Sequence, residues 1–148
     1  MGKSLNLGVK SKSLPLKLLI VRPDAIGDVV LTIPLINTIK QNLPNSEIYT
    51  LQQKYTQPLF ENHPNVKEVI IDWNKQGKVN SIKDFFSYVS YIKSFKFDAV
   101  IFSYFEGFYA ALMWCAGVPI RIGDANKLFL RFFINVPVKQ NFRDLMKH

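Results

Sequence analysis

The fold is decided by one stretch near the beginning of the chain, Lys17-Leu-Leu-Ile-Val-Arg22-Pro-Asp-Ala-Ile-Gly27-Asp28-Val-Val-Leu-Thr32-Ile-Pro34. Its first residues form a short apolar run, which is typical of a buried parallel strand. A turn follows at Pro23–Asp28, and from Thr32 to Leu43 the apolar residues recur at helical spacing. The stretch therefore predicts a strand, a tight loop and a helix, which together open an α/β domain.

The same alternation continues along the rest of the chain. Further strands are predicted at Glu47–Leu51, Val66–Asp72, Asp98–Ser103 and Val118–Ile122. Further helices are predicted at Tyr55–Asn62 (a short helix or turn), Ile82–Phe95, Phe108–Ala116 and Ala125–Phe133, and Asn135–Val138 is expected to be extended. Strands that alternate with helices indicate the α/β class, here a three-layer Rossmann-like parallel sheet of five strands.

Pro34 predicts how the first long helix begins. A proline inside an unbroken helix from Asp28 would cost about 3 kcal/mol. We therefore expect two pieces, a tight turn at Gly27–Leu31 and a main helix that starts near Pro34, with Thr32 as its cap.

Length and composition fit a globular domain. The chain has 148 residues, of which 48% are apolar and 20% charged. We assign residues 1–16 to a basic tail, 17–140 to the Rossmann-like domain and 141–148 to the start of a continuation. The single Cys115 and two separated histidines give no disulfide or zinc pattern, so no metal site is predicted.

The formal net charge of +8 favours anionic partners, although the scattered lysines are equally explained by solubility. Phosphorylated sugars and an anionic membrane surface fit this charge. The sequence has no RNA-binding or helix-turn-helix motif, so we do not expect nucleic acid as a partner.

One apolar stretch, Ala99–Ile120, is long enough to span a membrane and contains a single charged residue, Glu106. Glycines and Pro119 interrupt it, so a strand, a loop, a helix and a strand are the better interpretation. Glu106 would lie just beyond a strand, and its role stays open.

The loop after the first strand is the predicted site, because ligands of open α/β sheets bind at the carboxyl ends of the strands. Its one glycine, Gly27, fits neither the G-x-G-x-x-G nor the Walker A pattern, but it permits close approach to the backbone. Asp28 is either a helix cap or a ligand contact. Arg22 either contacts an anionic group of a ligand or pairs with Asp24 or Asp28.

This opening motif, a basic residue followed by Gly27-Asp28-Val and then Thr32-Ile-Pro34, resembles that of glycosyltransferase family 9, the bacterial lipopolysaccharide heptosyltransferases. The resemblance runs from Lys17 to about Gly123. Later segments fall in the family's order: Pro44-Asn-Ser-Glu-Ile, Asn62-His-Pro-Asn-Val, Phe97-Asp98-Ala-Val and Ala116-Gly-Val-Pro-Ile-Arg121-Ile-Gly123.

The resemblance implies the N-terminal half of a GT-B fold, in which two Rossmann-like domains face a cleft. The N-terminal domain binds the acceptor, an anionic sugar of the lipopolysaccharide inner core. The C-terminal domain binds the donor, an ADP-sugar, which is a substrate; transfer of the heptose-type sugar is inverting, with no cofactor and no metal. A cytoplasmic enzyme at the periphery of the inner face of the inner membrane is also implied.

Carried onto this sequence, the resemblance makes Asp28 the catalytic general base. It makes Arg22, Gly27 and Arg121 contacts of the acceptor, although Arg121 would equally pair with Asp124. A helix start favours an ionised carboxylate and so weakens it as a base. Orienting the acceptor hydroxyl and stabilising positive charge therefore stay an alternative role for Asp28.

No second Rossmann pattern follows before His148. We therefore expect a truncated chain that is inactive alone and requires a donor-binding domain, or a subunit that supplies one, because transfer needs both substrates held together. The alternative function is a non-catalytic α/β module that binds a small ligand or an anion.

Overall fold

The computed structural model describes residues 16–23, 26–103, 107–124, 134 and 136–138. Its elements are β1 (Lys17–Val21), α1 (Ile26–Val30), α2 (Ile33–Asn42), β2 (Glu47–Gln52), a 3₁₀ helix (Lys54–Leu59), β3 (Glu68–Ile71), α3 (Ile82–Ser94), β4 (Ala99–Phe102), α4 (Gly107–Cys115), β5 (Ile120–Asp124) and β6 (Val136–Val138). The predicted helix at Ala125–Phe133 lies outside the described residues, as do the terminal segments.

The strands form one parallel sheet with the order β3-β2-β1-β4-β5-β6. The predicted α/β class is confirmed, and the segment that we expected to be extended, Asn135–Val138, contributes β6 as a sixth strand. The chain leaves β1 towards β2 and β3, then crosses back to β4 on the other side of β1. The strand order therefore reverses between β1 and β4.

The β1 strand is buried on both of its faces, and the two faces hold different helices. Leu19 and Val21 pack in a cluster with α3 and α4 on one face. Ile20 packs with Val29 and Ile36, from α1 and α2, on the other. The predicted three layers follow directly from this arrangement.

The break before Pro34 is present, but Thr32 does not cap α2 as we predicted. A short helix, α1, takes the place of the predicted turn, and Pro34 lies in the first turn of α2. The backbone of Thr32 is helical (φ −81°, ψ −11°), whereas a capping residue is extended. Its hydroxyl instead donates to the carbonyl of Val29, so it closes the preceding helix.

The apolar stretch at 99–120 contains β4, α4 and the beginning of β5, as the interrupting residues predicted. Within the part of the chain that the structure describes, no helix is long and apolar enough to cross a membrane.

The α4 helix ends at a glycine with left-handed backbone, Gly117 (φ +76°). Its N–H donates to the carbonyl of Trp114 at 3.1 Å, and the N–H of Val118 donates to that of Met113 at 3.3 Å. This pair of bonds satisfies the last carbonyls of the helix in the Schellman arrangement.

Gly117→Ala is expected to lower the free energy of unfolding by about 1–2 kcal/mol, because a β-carbon in the left-handed conformation crowds the following carbonyl. A β-carbon at Gly117 would meet no atom of the described residues within 4 Å, so the loss is expected to come from the backbone. Urea unfolding measures it. The matched control is Gly117→Asn, which we expect to be milder because asparagine tolerates this conformation. An alanine variant as stable as the wild type would contradict the prediction.

Candidate functional site

The crevice at the carboxyl ends of β1 and β4 is where ligands bind in open α/β sheets, because the strand order reverses there. Arg22 follows β1 directly and is partly buried. Its N–H donates to the carbonyl of Leu51 at 3.0 Å, and its Nη1 donates to the carbonyl of Ser103, just after β4. The hydroxyl of Ser103 donates in return to the carbonyl of Val21 at 3.2 Å. Arg22 therefore ties both walls of the crevice together.

The loop after β2 is joined to the same edge. The side-chain amide of Gln53 donates to the carbonyl of Pro23 at 2.8 Å, and Pro23 is buried. The 3₁₀ helix that follows Gln53 packs against α1. Pro23 and α1 are thus each held from the β2 side.

Gly27 and Asp28 are the second and third residues of α1 at this braced edge. Gly27 is exposed, and among the described residues no atom lies within 4 Å of a β-carbon built on it. Its φ is not positive, so neither the backbone nor a contact with the described residues requires glycine here. Asp28 is the next residue of the same helix.

Arg121 lies apart from this group. It is the second residue of β5, and its Nη1 donates to the carbonyl of Val118 at 2.7 Å. Val118 precedes β5, so this nitrogen points to the amino edge of the sheet, opposite to Gly27. Burial lowers the pKa of the Arg121 guanidinium. Of the four predicted site residues, the structure brings Arg22, Gly27 and Asp28 to one edge and directs Arg121 towards the other.

No set of three or more His, Cys, Asp or Glu side chains within the described ranges is placed to hold a metal ion. Glu106 lies outside the described residues.

A buried carboxylate that the sequence did not single out also lies at the carboxyl edge. Asp72 follows β3 and is fully buried. It accepts hydrogen bonds from the hydroxyl of Tyr88 at 2.6 Å, from the hydroxyl of Tyr109, and from the backbone N–H groups of Asn74 and Lys75 at 3.1 and 3.2 Å. We call these three side chains, Asp72, Tyr88 and Tyr109, the Asp72 anchor. It joins the end of β3 to α3 and α4.

The anchor also fixes the loop between β3 and α3. The ring of Trp73 stacks on Tyr88 and Tyr91, with ring centroids 4.9 Å apart in both pairs. Burial raises the pKa of the Tyr88 hydroxyl, and the negative charge of Asp72 raises it further. The only signal of this cluster in the sequence was an aspartate at the end of a strand. Its two tyrosine partners lie 16 and 37 residues further along the chain, and the fold brings them to Asp72.

Tyr88→Phe is expected to lower the free energy of unfolding by about 1.5–3 kcal/mol at pH 8, because it removes a hydrogen bond to a buried charged group. The pKa of Tyr88 is raised in the folded state, so its contribution is complete below the usual value of 10.0 and is lost as the pH rises above that value. Urea unfolding between pH 8 and 11 should therefore show a steeper alkaline loss for the wild type than for the variant. Parallel curves would contradict the ionisation argument, and equal stability at pH 8 would contradict the anchor.

A parallel sheet with helices on both faces, whose strand order reverses at its first strand, defines a Rossmann-like α/β domain. No protein-family model matches the chain. It is 32% identical to a Haemophilus influenzae protein named provisionally as a glycosyltransferase, over 75% of this chain and 31% of that protein. It is 30% identical to lipopolysaccharide heptosyltransferase 3 of Escherichia coli K12, over 66% of this chain and 29% of that protein.

A solved glycosyltransferase of family 9 from Veillonella parvula is similar in structure, with a TM-score of 0.69 and 27% identity over 86% of this chain and 36% of that one. The chain is thus similar in sequence to a heptosyltransferase and in structure to a member of glycosyltransferase family 9. It spans about a third of the length of these relatives.

Proposed function

We propose that this domain binds the acceptor in an inverting transfer that moves a heptose-type sugar from an ADP-sugar onto the lipopolysaccharide inner core. The acceptor would lie over Gly27, in the crevice that Arg22 braces. A donor-binding domain of the GT-B kind would face it, supplied by another part of the protein or by a partner subunit.

The observation that carries the proposal is the open space over Gly27. Glycine in a helix is less stable than alanine by roughly 0.5–1 kcal/mol, so a glycine without a local need is a cost to the fold. No described atom would collide with a β-carbon at this position. With respect to the described residues the space is open to a ligand that approaches the backbone from outside, at the edge where α/β domains bind their ligands.

Asp28 is proposed as the general base. Its carboxylate would take the proton of the acceptor hydroxyl while the hydroxyl oxygen attacks the anomeric carbon and ADP leaves with the bonding electrons. The atoms and charges balance without a metal or cofactor. Asp28 follows Gly27 directly, so an acceptor that lies over the glycine would have its hydroxyl beside the carboxylate-bearing residue.

Arg22 is proposed to favour binding of the acceptor through a positive charge that is held in a fixed place. Its Nη1 is used for the carbonyl of Ser103, so the guanidinium charge is held at the crevice in a defined place. A fixed positive charge there favours an anionic acceptor. Arg121 is left out of the proposed acceptor site because its guanidinium is bonded at the amino edge of the sheet.

Asp28→Asn is expected to lower the transfer rate by about 10²–10⁴-fold in a protein that joins this domain to a donor-binding domain, since asparagine cannot accept the proton. Asp28 lies in the first turn of α1, where loss of the charge removes a dipole interaction of only about 0.3–1 kcal/mol, so the melting temperature should stay near that of the wild type. Asp98→Asn is the matched control, because it removes a carboxylate at the amino edge, where Asp98 accepts from the N–H of Lys17. A normally folded Asp28→Asn variant with wild-type turnover would show that Asp28 is a residue of the first helical turn and not the base.

Gly27→Ala separates acceptor binding from catalysis. The variant should be as stable as the wild type or up to about 1 kcal/mol more stable, because alanine favours the helix and nothing opposes its methyl group. Its affinity for an anionic inner-core saccharide should fall roughly tenfold or more, since an inserted methyl group in a filled site costs about 1–3 kcal/mol. Calorimetric titration of the chain with the saccharide measures this without a donor. Unchanged affinity of the variant would mean that the acceptor does not bind over Gly27. If the joined protein binds the saccharide but does not transfer sugar to it, the domain would be a non-catalytic binding module.

A further inference from the structure

The beginning of α3 exposes two large apolar side chains to solvent. Ile82 is 76% exposed and Phe86 is 54% exposed. They are four residues apart on a helix, so they lie side by side on one face. Phe86 belongs to an aromatic row, because its ring centroid lies 5.4 Å from that of Phe85, which lies 5.7 Å from that of Phe108 of α4. An adjacent pair of this kind differs from the isolated apolar side chains that are ordinary on protein surfaces.

Three exposed lysines belong to the same region: Lys75 and Lys78 in the loop before α3, and Lys83 in its first turn. Within residues 73–88 the only acidic side chain is that of Asp84. It already accepts a hydrogen bond from the N–H of Asn80 at 3.0 Å. The region therefore combines apolar bulk with a net positive charge.

The loop that carries two of these lysines is held in one shape. The N–H of Lys78 donates to the carbonyl of Trp73 at 3.0 Å, and the side-chain amide of Asn80 donates to the carbonyl of Gly77 at 2.9 Å. The Asp72 anchor fixes the start of the same loop through its bonds to the N–H groups of residues 74 and 75. The lysines are consequently presented together and not on a freely moving segment.

We propose that this surface, formed by Ile82, Phe86, Lys75, Lys78 and Lys83 and called here the α3 tip, docks on an anionic lipid membrane. The two apolar side chains would enter the boundary between headgroups and acyl chains, and the lysines would pair with headgroup phosphates. A protein partner fits less well, because lysine is depleted at protein–protein interfaces. The amino end of α3 follows β3, so the tip lies at the same carboxyl edge of the sheet as Gly27.

The position of the tip extends the proposed function and rests on it, because it concerns how the acceptor reaches the crevice. An acceptor that is part of a lipopolysaccharide is attached to lipid, and a tip at the carboxyl edge would hold the crevice towards the surface where that acceptor lies. The docking itself requires neither the acceptor nor the donor. Lipid binding can therefore be tested alone, and its failure would leave the proposed transfer untouched.

The experiment is flotation of the purified chain with vesicles of phosphatidylglycerol and phosphatidylcholine, compared with vesicles of phosphatidylcholine alone. Binding to the anionic vesicles should fall as salt is added, because exposed charges are screened within about 10 Å at 0.1 M ionic strength. This measurement uses the wild-type chain only. Equal binding to both kinds of vesicle, or no binding to either, would overturn the proposal.

Two variants test the residues. Lys75→Gln/Lys78→Gln/Lys83→Gln should reduce the partition coefficient roughly 100-fold, since each lysine near an anionic surface contributes roughly fivefold, or about 1 kcal/mol. Its matched control removes three exposed lysines elsewhere, Lys54→Gln/Lys67→Gln/Lys93→Gln. If the control variant loses as much binding as the test variant, the effect depends only on the net charge of the chain, and the assignment to the α3 tip is wrong.

Ile82→Ser/Phe86→Ser should lower binding about tenfold or more while the three lysines remain, because each apolar side chain favours insertion in proportion to the apolar area that leaves water. Trp114→Ser is the control, because Trp114 is 55% exposed but lies near the opposite end of α4. Circular dichroism checks that each variant folds. If Ile82→Ser/Phe86→Ser instead abolishes self-association of the chain in the absence of lipid, the surface is a protein interface and the proposal is wrong.

Discussion

The structure depends on the burial of β1 on both of its faces. Its residues Leu18–Val21 are at most 2% exposed, and β1 pairs with β2 on one side and with β4 on the other. A strand buried in this way needs helices above and below it, which produces the three layers. The chain adds β2 and β3 on one side of β1 and then β4 to β6 on the other. This reversal of the strand order opens a crevice at the carboxyl end of β1.

Two polar ties hold that carboxyl edge. Arg22, just after β1, donates a hydrogen bond to the carbonyl of Ser103 after β4. Asp72, just after β3, accepts hydrogen bonds from tyrosines of α3 and α4. A buried carboxylate is stable only when its oxygens are satisfied, and Asp72 accepts four hydrogen bonds. The described ends of β1, β3 and β4 are thereby set in position before a ligand arrives, which lowers the entropy cost of binding.

The two functional surfaces that we propose share this edge but use different physics. Over Gly27 the edge offers open space beside a carboxylate-bearing residue, which suits a sugar hydroxyl that must lose a proton. At the α3 tip it offers Ile82 and Phe86 among lysines, which suits a lipid surface. The Asp72 anchor connects the two, because it fixes the loop that carries the lysines to the sheet that carries the crevice.

The sequence by itself determined the α/β class and the break before Pro34, because these depend on apolar periodicity and proline geometry. The tertiary structure alone decided the rest. It turned the hydroxyl of Thr32 to the carbonyl of Val29, directed Arg121 to the amino edge, and brought two tyrosines to Asp72. These are choices among hydrogen-bond partners, and a polar side chain bonds with whichever group the packing of distant elements brings within about 3 Å.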